Sequence, residues 1–333
     1  MNRGLAWCGK IIEINPIPGA DLIEATTVLC GPGGRWQGVV KKGDFAEGDF
    51  CEVYVQDALL PKIERFAFME KRDWRIRMMR LKGVPSECLI MPWEQDFEPI
   101  IGDNITERVG VTKYEREVSL SLAGDQTGPF PGFIPKTDEP NFQGVTHLVN
   151  ALYGREWYAT LKYDGSSGTA FWKDGKLHMC SRNYEMKDKP GTAVWELARK
   201  YNLASVLEEW ASLGINLAVQ FEMVGPKIQK NPLGLKETEI RIFNLYTWGG
   251  PNAGYLDLDA LTTFCDKHGL PMVDIVCQGE FFDLDSEALR KLAEQKYSNG
   301  KHAEGIVVRP RKEMRVLGER VSFKVINLLY KDE

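Results

Sequence analysis

The stretch that most constrains the fold is residues 119–140, which contain SLAGDQTGPFPGFIPKTDEP. Proline locks φ and removes a backbone donor, and glycine weakens any regular element, so neither a long helix nor a central strand runs through it. The composition reads as a linker. Its embedded Phe130, Phe133 and Ile134 predict that it packs on a surface rather than floating. The 333 residues suit two ordinary domains, so the expected division is 1–117, a linker at 118–144, and 145–333.

The hydrophobic pattern changes across this stretch. Before it, short runs at 5–14, 22–29, 36–40 and 50–55 are separated by Pro16-Ile17-Pro18-Gly19 and Gly31-Pro32-Gly33-Gly34, the spacing of a small β-barrel. After it, strands are expected at 158–162, 168–172, 176–181, 217–224, 240–248, 305–309 and 320–326. Helices are expected at 192–213, 258–268 and 286–297. The whole is an α+β chain.

The net charge of −5 excludes a protein that is basic all over, but leaves room for a local basic groove. Residues 62–82 carry eight basic against three acidic side chains, with Phe66, Phe68 and Trp74 interleaved. They are either a groove that tracks a phosphate backbone and stacks bases, or a charged, solvated barrel edge. Arg75, Arg77 and Arg80 are its RNA-binding candidates. Arg309, Arg311, Lys312, Arg315 and Arg320 have the same two readings. The seven cysteines form no CxxC and the four histidines stand far apart, so neither a zinc site nor a disulfide framework is expected. An odd number of free thiols fits a reducing cytoplasm, and no apolar run approaches membrane-spanning length. A cytoplasmic monomer with no membrane contact is the expectation.

The chemistry concentrates at Leu161-Lys162-Tyr163-Asp164-Gly165-Ser166-Ser167-Gly168. Strand alternation puts Lys162 and Asp164 on one face. A lysine there becomes a nucleophile once deprotonated, which nearby cations or desolvation favour. Asp164 can orient a metal or a water, and the glycines let a nucleotide approach the backbone. Further elements follow in order: Ser181-Arg182-Asn183; Glu222-Met223-Val224-Gly225-Pro226-Lys227-Ile228-Gln229-Lys230-Asn231; Arg241-Ile242-Phe243-Asn244; Glu304-Gly305-Ile306-Val307-Val308-Arg309; and Ser322-Phe323-Lys324-Val325-Ile326-Asn327.

This ordered set resembles the lysyl-nucleotidyltransferase superfamily of ATP-dependent RNA ligases, DNA ligases and mRNA capping enzymes. The Glu222 stretch resembles the RNA-ligase pattern GE-x-x-GPGIQ-N. DNA ligases and capping enzymes place an OB domain after the last motif, whereas six residues follow Asn327. Instead Gly9-Lys10-Ile11-Ile12-Glu13, Pro18-Gly19-Ala20-Asp21 and the segment through Val53 look like an OB module. The order of OB module, linker and ligase module resembles RNA ligase family 5.

The resemblance implies an N-terminal OB-type barrel and a nucleotidyltransferase domain of antiparallel sheets with flanking helices. It implies an RNA-repair enzyme that seals 3′-OH and 5′-phosphate ends, nicked duplexes among them, with ATP and Mg²⁺ or Mn²⁺. Lys162 matches the lysine that becomes adenylylated, and Arg182, Glu222, Phe243 and Lys324 match its ATP-binding partners. Phe243 matches the aromatic that stacks on adenine. Asp164, Glu222 and Glu304 match the carboxylates that hold the metal through water. Three positions depart from the pattern: Ile326 replaces a second lysine, Lys227 stands where glycine is usual, and Leu161 stands where some RNA ligases carry a glutamate that reads adenine. The rival readings are a DNA ligase, a capping-type nucleotidyltransferase, or an RNA-binding relative without activity.

Overall fold

Runs of alternating burial before residue 100 form one antiparallel sheet. Its strand order is Gly34–Lys41, Ile23–Cys30, Ala6–Pro16, Phe50–Val55 and Cys88–Pro92. The protein is described by a computed structural model that covers residues 4–31, 34–114 and 125–330. The sheet curls until its edges meet: Glu87 donates its N–H to the Gln37 carbonyl at 2.8 Å, and Gly38 lies against the Ile90 side chain. One face buries Val28, Trp36, Val53 and Ile90, and the other packs Tyr54 and Ile105 with Phe66 and Met69 of the 3₁₀ segment Glu64–Arg72. The Cys88–Pro92 strand was not expected from the sequence.

The chain forms two units, one of residues up to 114 with Asn141–Asn150, the other of residues 125–140 and 151–330. Residues 32–33 of the expected turn and 118–124 of the expected linker lie outside the described residues.

The second unit holds two antiparallel sheets. One runs Gln126–Pro129, Tyr184–Met186, Lys176–Ser181, Ser166–Lys173, Leu217–Val224, Glu239–Thr247 and Gly254–Tyr255. The other runs Ile275–Gly279, Trp157–Lys162, Gly305–Pro310 and Phe323–Ile326. Helices Ala193–Lys200, Leu203–Ser212 and Leu258–His268 cover the larger sheet through Leu197, Leu207, Leu261 and Phe264. Asp257 caps the last of these by accepting the Ala260 N–H at 3.1 Å.

Several elements differ from expectation for local reasons. The helix expected at 192–213 is two helices, broken where Asn202 takes φ 51°. The helix expected at 286–297 ends at Leu292, and Tyr297 closes a turn with Lys301. The strand expected at 320–326 is Phe323–Ile326, because Arg320 ends a separate hairpin. All seven cysteines are free and six are buried. Among the described residues no helix is long and apolar enough to cross a membrane.

The Pro- and Gly-rich segment adds an edge strand to the larger sheet of the second unit. Gln126–Pro129 pairs with Tyr184–Met186 at the sheet edge, where a proline costs no ladder bond. Ile134 is buried with Phe171, Cys180 and Ala218, and the Phe133 ring sits 5.6 Å from Phe171 and 5.2 Å from Trp248. Ile134→Ala should therefore destabilise this unit by about 2–4 kcal/mol, read as a lowered denaturation midpoint. A segment that merely tethers would show no change.

Candidate active site

Lys162 ends the Trp157–Lys162 strand, whose other residues are buried, so the lysine emerges at the open end of the sheet. Its cross-strand partner is Gly305, which brings Glu304 alongside: Lys162 Nζ donates to Glu304 Oε2 at 2.6 Å. Both side chains are about one-fifth to one-quarter exposed, so the pair is partly screened but not dissolved by solvent.

Two glycines bring the strand that carries Glu222 against this turn. A Cβ on Gly165 would lie 2.2 Å from the Met223 carbonyl oxygen and 2.8 Å from Glu222 Cγ. A Cβ on Gly168 would lie 2.3 Å from the Phe221 ring. The glycines of the Gly-Ser-Ser-Gly run therefore serve sheet packing. Gln229 Nε2 then donates to the Gly165 carbonyl at 3.0 Å. In the same loop Lys227 takes φ 66°, a left-handed conformation that explains why glycine is the usual residue there.

Around Lys162 the charges are negative. Burial opposes the ammonium, but Glu304, Glu222 and Asp164 outweigh it and raise its pKa above the ordinary lysine value. This corrects the expectation that neighbouring cations or desolvation expose a neutral amine. Glu222 is pushed up to about 8, first by burial and then by the Glu304 and Asp164 charges, with Lys162 and Arg182 acting the other way.

Two tyrosines that sequence reasoning missed organise the turn. The Tyr297 hydroxyl accepts the Asp164 N–H at 2.9 Å, and its ring stacks on Tyr163 at 5.7 Å. The Tyr330 hydroxyl donates to Asp164 Oδ2 at 2.5 Å. Tyr297 was hidden inside the expected helix, and nothing local marks Tyr330.

A cavity opens beside Lys162. Leu161, Val273, Val307 and the half-buried Phe243 give it apolar walls, and Glu222, Glu139 and Arg309 also line it. Of the candidates, Lys162, Glu222 and Phe243 line the cavity, and Glu304 and Asp164 join them through Lys162. Lys324 lies on the neighbouring strand, opposite Val307. Arg182 is half-exposed and donates to Asp138 at 2.6 Å. Ile326 shares the face of Lys324 and pairs with Gly305.

The other basic residues are largely engaged. Arg309 is buried on Glu139, Ser322 and the Phe243 carbonyl; Arg311 and Lys312 pair with Asp259; Arg320 pairs with Glu313 and stacks 3.6 Å from the Tyr255 ring. Arg309 and Arg320 are thus held inside the protein, whereas the Arg311 and Lys312 pairs lie at the surface. Arg315 reaches the Gly318 carbonyl at the surface. In the first unit, Arg65 pairs with buried Glu52, and Arg75 pairs with Asp57 at 2.8 Å under the Tyr114 ring. Arg80 is half-buried and Arg77 exposed. Phe66 is buried and Phe68 is 56% exposed, so the aromatic interleaving is mostly core packing.

Among the described residues, no group of three or more His, Cys, Asp or Glu side chains is gathered closely enough to ligate a metal directly. The excess negative charge that lifts Glu222 and Lys162 does fit a cation held by carboxylates through its water shell.

The family model described as RNA ligase matches residues 155–326, and one described as an OB-fold domain matches residues 5–93. The chain belongs to the RNA ligase family. It is also similar to solved structures of Naegleria gruberi RNA ligase, each at 29% identity. An apo aspartate-to-alanine variant matches with TM-score 0.82 over 98% of this chain and 96% of that one. A lysine-to-alanine variant with ATP and Mn matches with TM-score 0.83 over 99% and 100%. A glutamate-to-alanine variant with AMP and Mn matches with TM-score 0.81 over 99% and 100%. No curated protein is similar enough in sequence to be matched.

Gly165→Ala should force the Glu222 strand away from the Lys162 turn and destabilise the protein by about 1–3 kcal/mol. Thermal melting checks this. The raised Glu222 pKa makes a second prediction. A carboxyl that binds its proton more tightly when folded stabilises fully below its unfolded value, and loses that contribution as pH rises through about 8. Glu222→Gln should thus flatten the fall in melting temperature of the metal-free protein between pH 5 and pH 8. Parallel melting curves for variant and wild type would contradict the assignment.

Proposed function

We propose that this chain is an ATP-dependent RNA ligase that works through a covalent lysyl-AMP, with Lys162 as the nucleophile. The observation that carries the proposal is Lys162 at the rim of a cavity walled by Leu161, Phe243, Val273 and Val307, ion-paired with Glu304. Phe243 offers its ring to adenine, and Leu161, Val273 and Val307 exclude water from the base. The likeness to an RNA ligase with ATP and Mn, and with AMP and Mn, supports this seating.

In the first step the Lys162 amine attacks the α-phosphorus, a P–N bond forms, the bond to the β-phosphate oxygen breaks, and pyrophosphate leaves. The ammonium yields one proton before attack and a second as the P–N bond forms, and Glu304 Oε2 at 2.6 Å is its nearest acceptor. AMP then passes from Lys162 to a 5′-phosphate. A 3′-OH attacks that phosphate, the new phosphodiester forms, and AMP departs. Lys324 and Arg182 add positive charge toward the phosphates. Asp164, Glu222 and Glu304 hold Mg²⁺ or Mn²⁺ through water, and the ion when bound supplies the positive charge that these carboxylates otherwise deny to the phosphate.

RNA ends with 3′-OH and 5′-phosphate are the substrates, nicked duplexes among them, and the setting is cytoplasmic RNA repair by a monomer. The OB module spans 1–117 and the nucleotidyltransferase module 145–333, with 118–144 between. Arg77, the exposed one of the three arginine candidates, leads the RNA contacts, and Arg75 and Arg80 support it.

Lys162→Ala should fold, because a half-buried rim lysine contributes little packing, yet form no covalent AMP on incubation with ATP and Mn²⁺. Lys162→Arg should fail equally, since a guanidinium stays protonated. Intact-mass measurement checks both, and AMP retained on the alanine variant would refute the assignment.

A further inference from the structure

We infer that Glu139 reads the 6-amino group of the purine ring, and so selects adenine nucleotides. The inference rests on the ATP-dependent reading above.

The cavity extends along the strand that ends in Lys162. Lys162 lies opposite Gly305, Thr160 opposite Val307, and Tyr158 opposite Arg309. At roughly 3.3 Å per residue, the Arg309 level stands about 13 Å from Lys162 along the strand. A nucleotide whose α-phosphate meets Lys162 therefore points its base toward the Glu139–Arg309 end. The apolar walls hold any base, since every base offers a π-face, so discrimination falls to polar groups at this end.

Arg309 is already engaged there. Nε donates to Ser322 Oγ, Nη1 to the Phe243 carbonyl and Nη2 to Glu139 Oε1, each at 2.9 Å. Thr137 Oγ1 shares a 2.9 Å hydrogen bond with Ser167 Oγ. Glu139 is different. An ionised carboxylate accepts at about four sites, and Arg309 and Ser322 are its named partners. Burial works against its charge, yet Arg309 and Arg320 hold the carboxyl below the usual carboxylate range. Glu139 thus presents an anionic acceptor that cannot donate. It suits an amine at the purine 6-position and repels a carbonyl oxygen at the same place. The link from Arg309 to the Phe243 carbonyl fixes this acceptor relative to the stacking ring.

The test measures lysyl-nucleotide formation by the full chain with Mn²⁺ and three triphosphates: ATP, GTP, and purine riboside triphosphate, which lacks the 6-amino group. The wild type should lose about 10- to 100-fold in kcat/KM for the adduct when that amine is absent, as for a hydrogen bond to a charged group. GTP should be used no better than the amine-free analogue. Glu139→Asp keeps a charge for Arg309 but withdraws the carboxylate by one methylene, so the penalty for removing the amine should shrink to about twofold or less. Equal use of ATP and the analogue by the wild type overturns the inference, as does an undiminished penalty in the variant. The wild-type comparison needs no variant and decides alone if Glu139→Asp misfolds. Discrimination failure with efficient adduct formation strikes only this inference, whereas no adduct from any triphosphate removes the ligase reading and the inference together.

Discussion

The ion pair between Lys162 and Glu304 is the interaction on which the site depends. It joins the ends of two adjacent strands, and Glu222 and Asp164 add further negative charge around the same ammonium. Left to itself, this arrangement stores the lysine in its charged, unreactive form. As the proposed nucleophile, Lys162 would become competent only when positive charge enters among the carboxylates. A divalent cation would supply that charge, so the electrostatics would couple release of the amine's proton to binding of the metal.

That clustering of like charges depends on the strand that carries Glu222 lying close against the turn after Lys162. Gly165 and Gly168 leave no Cβ in the way of Met223, Glu222 and Phe221. Tyr297 and Tyr330 then fix the Asp164 turn from segments far along the chain. At the other end of the cavity, Arg309 ties Phe243, Ser322 and Glu139 together inside the protein. A buried ion pair of this kind gives weak net stability but strong positional definition, because breaking it strands a charge.

Much of this was legible in the sequence. Lys162, Glu222 and Glu304 stand beside apolar strand residues, and their order along the chain matches the order in which the strands deliver them. The barrel strands up to residue 55 were visible through turn residues and alternation. Partners set by long-range packing were not visible. Tyr297 meets Asp164 from 133 residues away, and Arg309 meets Glu139 across 170 residues. Packing of Phe130, Phe133 and Ile134 was legible in the linker segment, but proline and glycine hid the edge strand Gln126–Pro129. Pattern reading left the basic stretch open between a base-stacking groove and a solvated barrel edge, and neither reading placed Phe66 in the barrel core, where it is buried.

The most direct measurement is the titration of the Lys162 amine itself, by site-specific NMR of the wild-type protein with and without Mg²⁺. The metal-free protein should show this amine titrating above the ordinary lysine value, and Mg²⁺ should lower it. An amine that is already neutral near pH 8 in the metal-free protein, or whose titration ignores the metal, would contradict the account.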